Sequence, residues 1–328
     1  MRLRCALYVF VFFLFSTCVA CPQTKSPNAY QLTARGLTVG ELFGVAESAG
    51  QGDAESQLLM GLSLQLVAER IEYDVEGSTG MLRLSAHWFR EAAEKDFAPA
   101  RYFLVATDLR LLENCDEIAP LLNKAIAQNY LSARTALGRL YMEGGCGFNV
   151  DYRKGLQWLT KASEAGDAEA SYWIGQAYEQ GRGVSADQRE AMKWFSKGAQ
   201  IGDPSAQNSL AINLAEGNGT RKNTAQAVEW FRKSAEQGND EAACNLALHY
   251  MRGEGVEKDY VLALMWGLIS GRIAMQMHCL SEIDTHDMLQ MSAVQESEAT
   301  HRANAWLKEH HYPITAPPKR IYPDKGEN

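Results

Sequence analysis

Four tryptophans, Trp158, Trp194, Trp230 and Trp266, stand 36 residues apart, and they do not recur alone. Gly166, Gly202 and Gly238 keep the same step, as do Ala170, Ala206 and Ala242. The glycine pairs Gly181/Gly183, Gly217/Gly219 and Gly253/Gly255 keep it again. A period of this length marks one supersecondary unit used repeatedly. A single unit cannot bury its apolar face. A stack of them can, because each covers its neighbour and the core runs on along the stack.

Each unit reads as two helices. In "DAEASYWIGQAYEQG", Ala170, Ile174, Gly175 and Tyr178 fall on one helical face. Ala206, Leu210, Ala211 and Leu214 repeat that face, and Ala242, Leu246, Ala247 and Tyr250 repeat it again. "GRG", "GNG" and "GEG" then follow, and glycine accepts the left-handed backbone found just past a helix C-terminus. The second helix, as in "DQREAMKWFSKGAQIG", turns Ala191, Phe195 and Ala199 inward with Trp194 beside them. Asp187 and Glu190 suit its positive N-terminal end. Asp203-Pro204 opens the next unit.

The outer units are looser. Ala133, Leu137, Gly138 and Tyr141 match well, Ala100 and Leu104 match in part, and Ser56, Met60, Gly61 and Leu64 match again. A longer connection, roughly 65–83, is expected before "SAHWFREAAEKD". About six units fit between residues 50 and 275.

The pattern A-x-x-x-[IL]-[GA], the Gly-x-Gly loop and A-x-x-W-F-x-K-[SGA]-A-x-x-G resemble Sel1-like repeats, relatives of tetratricopeptide repeats. "GRGVSADQREAMKWFSKGAQIGD" and "GEGVEKDYVLALMW" carry the resemblance most clearly. It implies an all-α fold, a right-handed superhelical solenoid of Sel1-like, TPR-like hairpins over residues 38–275. "MLQMSAVQESEATHRANAWLKEH" resembles the capping helices that close such arrays, over 276–312. The remaining tail, 313–328, is rich in Pro and charge and is expected to be disordered.

The resemblance also implies a use: a protein or peptide partner held on the concave face by exposed first-helix positions. Here these are Arg139, Met142, Tyr172, Gln176, Glu179, Asn208, Glu216, Leu248 and Arg252. Tyr172 and Met142 are the expected anchors, since aromatic side chains dominate binding hot spots and methionine adapts to irregular surfaces. The runner-up is an enzyme on the same scaffold, because some cysteine-rich secreted members of the family bind or slowly hydrolyse β-lactams. Those members carry a cysteine pair in every unit, and this chain does not.

The first 20 residues, with Arg2 and Arg4, an apolar run from Ala6 to Phe15 and then small residues, have the order of a signal peptide. Two kinds of processing fit. "CVA" suits an ordinary signal peptidase, and it also resembles a lipobox in which Cys21 receives lipid, with Cys18 where leucine is usual. Residues 21–37 would form a linker. A periplasmic or secreted protein, or an outer-membrane lipoprotein attached through Cys21, is expected in the bacterial cell envelope.

An oxidising compartment makes disulfides reasonable. Cys115 and Cys146 fall in the inter-helix loops of consecutive units, which stacking brings side by side. Cys244 and Cys279 lie one unit apart. The expected pairs are Cys115–Cys146 and Cys244–Cys279, with free buried thiols as the alternative. No catalytic motif, metal-ligand spacing or cofactor fingerprint is present, so no catalytic residue, metal or cofactor is expected. A net charge of −8 with no basic stripe argues against nucleic acid.

Overall fold

The computed structural model describes residues 27–70, 75–273, 291–310 and 312. These form fifteen α-helices and no β-strand among the described residues. The chain divides into two compact units, one up to Ala165 and one from Gly166 onward.

The first unit opens with α1 (Pro27–Gly36) and α2 (Val39–Gly50). Residues 27–36 are therefore a helix rather than linker, and Tyr30 and Ala34 are buried in the first core. Thr38 and Glu41 close a reciprocal capping box at the start of α2, each accepting from the other's backbone N–H at 3.2 and 2.8 Å. Three hairpins follow: α3 (Ala54–Arg70) with α4 (Val75–Glu94), α5 (Ala98–Leu111) with α6 (Ile118–Ala127), and α7 (Leu131–Glu143) with α8 (Tyr152–Glu164). The long connection expected over 65–83 is thus mostly helix, with only 71–74 outside the described residues.

The second unit holds the regular repeats: α9 (Ala168–Gln180) with α10 (Gln188–Ile201), α11 (Pro204–Glu216) with α12 (Thr224–Glu236), and α13 (Asp240–Arg252) with α14 (Tyr260–Ile273). First helices are capped by Asp167, Asp203 and Asn239. Second helices are capped by Asp187, Asn223 and Asp259, and Gly181, Gly217 and Gly253 end the first helices at φ 71°, 87° and 70°. Within a hairpin the helices approach closely at a small residue. A Cβ on Gly175 would lie 2.6 Å from the Phe195 ring, and one on Gly61 would lie 2.3 Å from Phe89. Hence the [GA] of the motif.

Inside the repeats a polar staple recurs that the apolar period hides. Gln57, Arg101 and Gln207 each follow the first-helix alanine or its counterpart, and each is buried. Each donates at 3.2 Å to a carbonyl eight residues back, that of Ala49, Ala93 or Ala199. Each then reaches the following turn. Lys95 donates to Gln57 at 3.0 Å, Arg101 donates to Gln128 at 2.6 Å, and Gln237 donates to Gln207 at 2.8 Å. Buried polar groups with all partners in place fix register, which apolar packing alone specifies less sharply.

The repeat tryptophans mark the array's edge. Lys161, Lys197 and Lys233 lie over Trp158, Trp194 and Trp230, 4.2–5.0 Å from the ring centroids. The last one, Trp266, is buried instead. Trp306, on the final helix α15 (Ala293–Glu309), meets it edge-on at 5.9 Å. Ala299, Ala303 and Leu307 of α15 complete this core, and Ser292 caps the helix.

Candidate functional site

In the second unit the first helices α9, α11 and α13 follow one another, and their outer face carries most of the sequence-predicted binding residues. Glu216 and Arg252 are exposed, and Tyr172, Gln176, Glu179 and Leu248 are half-buried. Asn208 is not available: it is 4% exposed. Its amide donates to Glu241 at 3.2 Å and its oxygen accepts from Asn245 at 3.3 Å, which ties α11 to α13. Glu179 is partly committed too, accepting from Asn213 at 3.3 Å.

In the first unit Arg139 is half-buried, with Glu143 one turn on at 4.0 Å. Met142 is buried at 3%. It fills the space left by Gly155, where a Cβ would lie 2.7 Å from its sulfur. It is core and not an anchor. Both errors have one cause. A first helix packs against its own second helix and against neighbouring first helices, so its apolar face is wider than one stripe.

Tyr172 is half-buried and packs against the core of the second unit. Its ring meets Trp173 edge-on at 5.6 Å and Phe195 at 6.2 Å, and its hydroxyl accepts from Gln176 at 2.6 Å. Burial holds this phenol above its usual range, and the carboxylates of Glu241, Asp203 and Glu179 push the same way. The face is therefore negative around Tyr172. Asp203 has its own causes: burial first, then Glu169 and Asp167, push its carboxyl up to about 6.

A raised carboxyl has a consequence for stability. Between about pH 4 and 6 the folded chain keeps a proton on Asp203 that the unfolded chain, at an ordinary aspartate value, has lost. Stability from this group falls as pH rises through that window. Asp203→Asn removes the effect while keeping the cap, since Asn239 caps the next first helix the same way, accepting from Ala242 N–H at 2.8 Å. With solvent screening allowed for, the variant is expected to gain about 1 kcal/mol at pH 7.5 and nothing at pH 4. Urea melts across that range measure it, and parallel pH profiles for the two proteins would refute it.

The disulfide Cys115–Cys146 is present, with Cα atoms 4.8 Å apart. Cys244 is also disulfide-bonded. Cys279, its expected partner, lies outside the described residues, as does Cys21.

The Sel1 repeat family profile matches residues 82–97, 123–167, 168–203, 204–239 and 240–269. The chain belongs to the Sel1-repeat family, whose members are generally non-catalytic scaffolds for protein–protein interaction. Among solved structures it is similar to a protective antigen present in uropathogenic Escherichia coli strains, which displays an SLR fold. That match has 24% identity and a TM-score of 0.57, covering 91% of this chain and 73% of the other. It is also similar to a Sel1 repeat protein from Oxalobacter formigenes, with 21% identity and a TM-score of 0.55, covering 69% of this chain and 98% of the other. At these identities the likeness speaks for the fold. A search of curated protein sequences finds no match.

Proposed function

We propose that this chain is a non-catalytic adaptor of the bacterial cell envelope, holding a protein or peptide against the first-helix face of its repeats. The observation that carries the reading is a contrast between positions one period apart. The packing positions repeat: Ala170, Ala206 and Ala242 are all fully buried. The neighbouring positions do not: half-buried Gln176, Ile212 and Leu248 share one place, and exposed Gln180, Glu216 and Arg252 share another. A repeating frame that presents a non-repeating row of side chains suits recognition of one extended partner. The negative charge around Tyr172 favours a partner segment bearing Lys or Arg.

Photo-crosslinking residues placed at Gln176 and Arg252 in cells test this, with the exposed second-helix position Lys193 as control. A single recurrent partner captured from 176 and 252 but not from 193 is the expected result. Capture from 193 alone overturns the assignment of the face. The envelope location rests on the N-terminal 20 residues and on the disulfide. Cell fractionation tests it, and a fully cytoplasmic chain refutes it. Lipid incorporation by the wild type and not by Cys21→Ser would establish the anchor.

A further inference from the structure

Consecutive repeats of the second unit meet at their turns as well as along their helices. The turn after α11 lies against the start of α10 so closely that a Cβ on Gly219 would sit 2.3 Å from the Gln188 carbonyl oxygen. Beside this contact opens a crevice of about 680 Å³, lined by Ala186–Arg189 on one side and by Gly217, Gly219, Thr220 and Arg221 on the other. Arg189 and Arg221 are both exposed, and among the described residues neither side chain has an ion pair or hydrogen bond. Asp187 also lines the crevice, and one of its carboxylate oxygens accepts from the backbone N–H groups of Arg189 and Glu190 at 2.9 and 3.1 Å.

The next repeat provides an internal control. There the turn after α13 approaches the start of α12 in the same way, with a Cβ on Gly255 lying 2.6 Å from the Thr224 carbonyl oxygen. The geometry recurs, but the charges do not. Ala225 stands where the first crevice has Arg189, and Glu257 where it has Arg221. The fold thus builds this junction without either arginine, and packing does not explain them.

We propose that the Arg189/Arg221 crevice is a docking site for an acidic segment of a partner protein, one carrying consecutive Asp or Glu side chains. Guanidinium groups match carboxylates in two-pronged hydrogen bonds. The crevice is open to solvent and, at about 680 Å³, has room for more than a lone inorganic anion. Charge also selects the place. In a chain of net charge −8, the carboxylates around Tyr172 disfavour an acidic segment there, while the crevice sets two guanidiniums against the one carboxylate of Asp187. The proposal does not depend on what the first-helix face binds.

Fluorescence anisotropy with a labelled tetraglutamate peptide and the full chain tests it. Saturable one-to-one binding is expected, weakening as salt rises. Changing the crevice to the sequence of its neighbour, Arg189→Ala with Arg221→Glu, is expected to lower affinity at least tenfold with unchanged circular dichroism. The reciprocal pair, Ala225→Arg with Glu257→Arg, is expected to raise the stoichiometry from one to two. Wild-type affinity in the folded first variant overturns the site. Inorganic phosphate that binds the same arginines more tightly than the peptide overturns the acidic-segment assignment in favour of a small anion.

Discussion

Gly219→Ala is expected to destabilise the second unit by about 3 kcal/mol, lowering its melting temperature by roughly 6–12 °C. Two effects add. The residue sits at φ +67°, in the left-handed region where an L side chain costs about 1–2 kcal/mol. The new methyl would also stand 2.3 Å from the carbonyl oxygen of Gln188, and that oxygen belongs to backbone that cannot swing aside. Gly181→Ala separates the two effects. Its φ is nearly the same, +71°, but its Cβ would meet nothing nearer than 3.4 Å. It should lose only the conformational share. Equal losses at 181 and 219 would show that the inter-repeat contact is not what demands glycine. Gly255→Ala should behave like Gly219→Ala, since its Cβ would lie 2.5 Å from the carbonyl carbon of Thr224.

This pair of glycines shows what a period can and cannot reveal. The 36-residue step exposed the hairpins, the turn glycines and the buried alanines, because each of those needs recurs in every repeat. It also placed Cys115 and Cys146 in adjacent turns. It could not say that the second glycine of the loop touches the preceding repeat, since tight approach and left-handed backbone select the same residue. The polar staple of Gln57, Arg101 and Gln207 was invisible for another reason. Its place holds Gln57, Arg101 and Gln207 but Ser171 and Ala243 in other repeats, and what links the three is a carbonyl eight residues back.

The N-terminal helix α1 escaped for want of a period, because "PNAYQLTARG" has the composition of a tether and is held by a few contacts such as Tyr30. On the candidate face, Glu216 and Arg252 were legible as exposed positions. Met142 and Asn208 were not, because inward and outward on a first helix depend on neighbours that no single stripe describes.

Loss of the Cys115–Cys146 bond is expected to destabilise the first unit by about 3–4 kcal/mol, on the chain-entropy account of a loop with a sequence separation of 31. The turn it restrains lacks the glycine loop. Where the first helices of the second unit end in Gly-x-Gly, α5 ends at Leu112 and Asn114, both left-handed at φ 54° and 51°. Leu112 is moreover 76% exposed. Non-glycine residues hold that backbone only when the surroundings insist on it. One restraint is the disulfide. The other is Asp108, fully buried, whose carboxylate accepts from the Asn114 amide at 3.2 Å while its carbonyl accepts from Glu113 N–H at 3.0 Å. Burial pushes the Asp108 carboxyl up, and Arg90 at 3.7 Å opposes that shift.

The partner turn has Gly144, Gly145 and Gly147 at positive φ, and Cys146 among them is itself at φ 47°. The bond therefore joins two turns that each hold a non-glycine residue at positive φ. Cys115→Ser with Cys146→Ser should lower the melting temperature by roughly 7–14 °C. Reducing the wild type should give the same loss, and the two treatments should not add. A double variant melting within about 2 °C of the parent would mean that Asp108 and Asn114 hold the turn unaided.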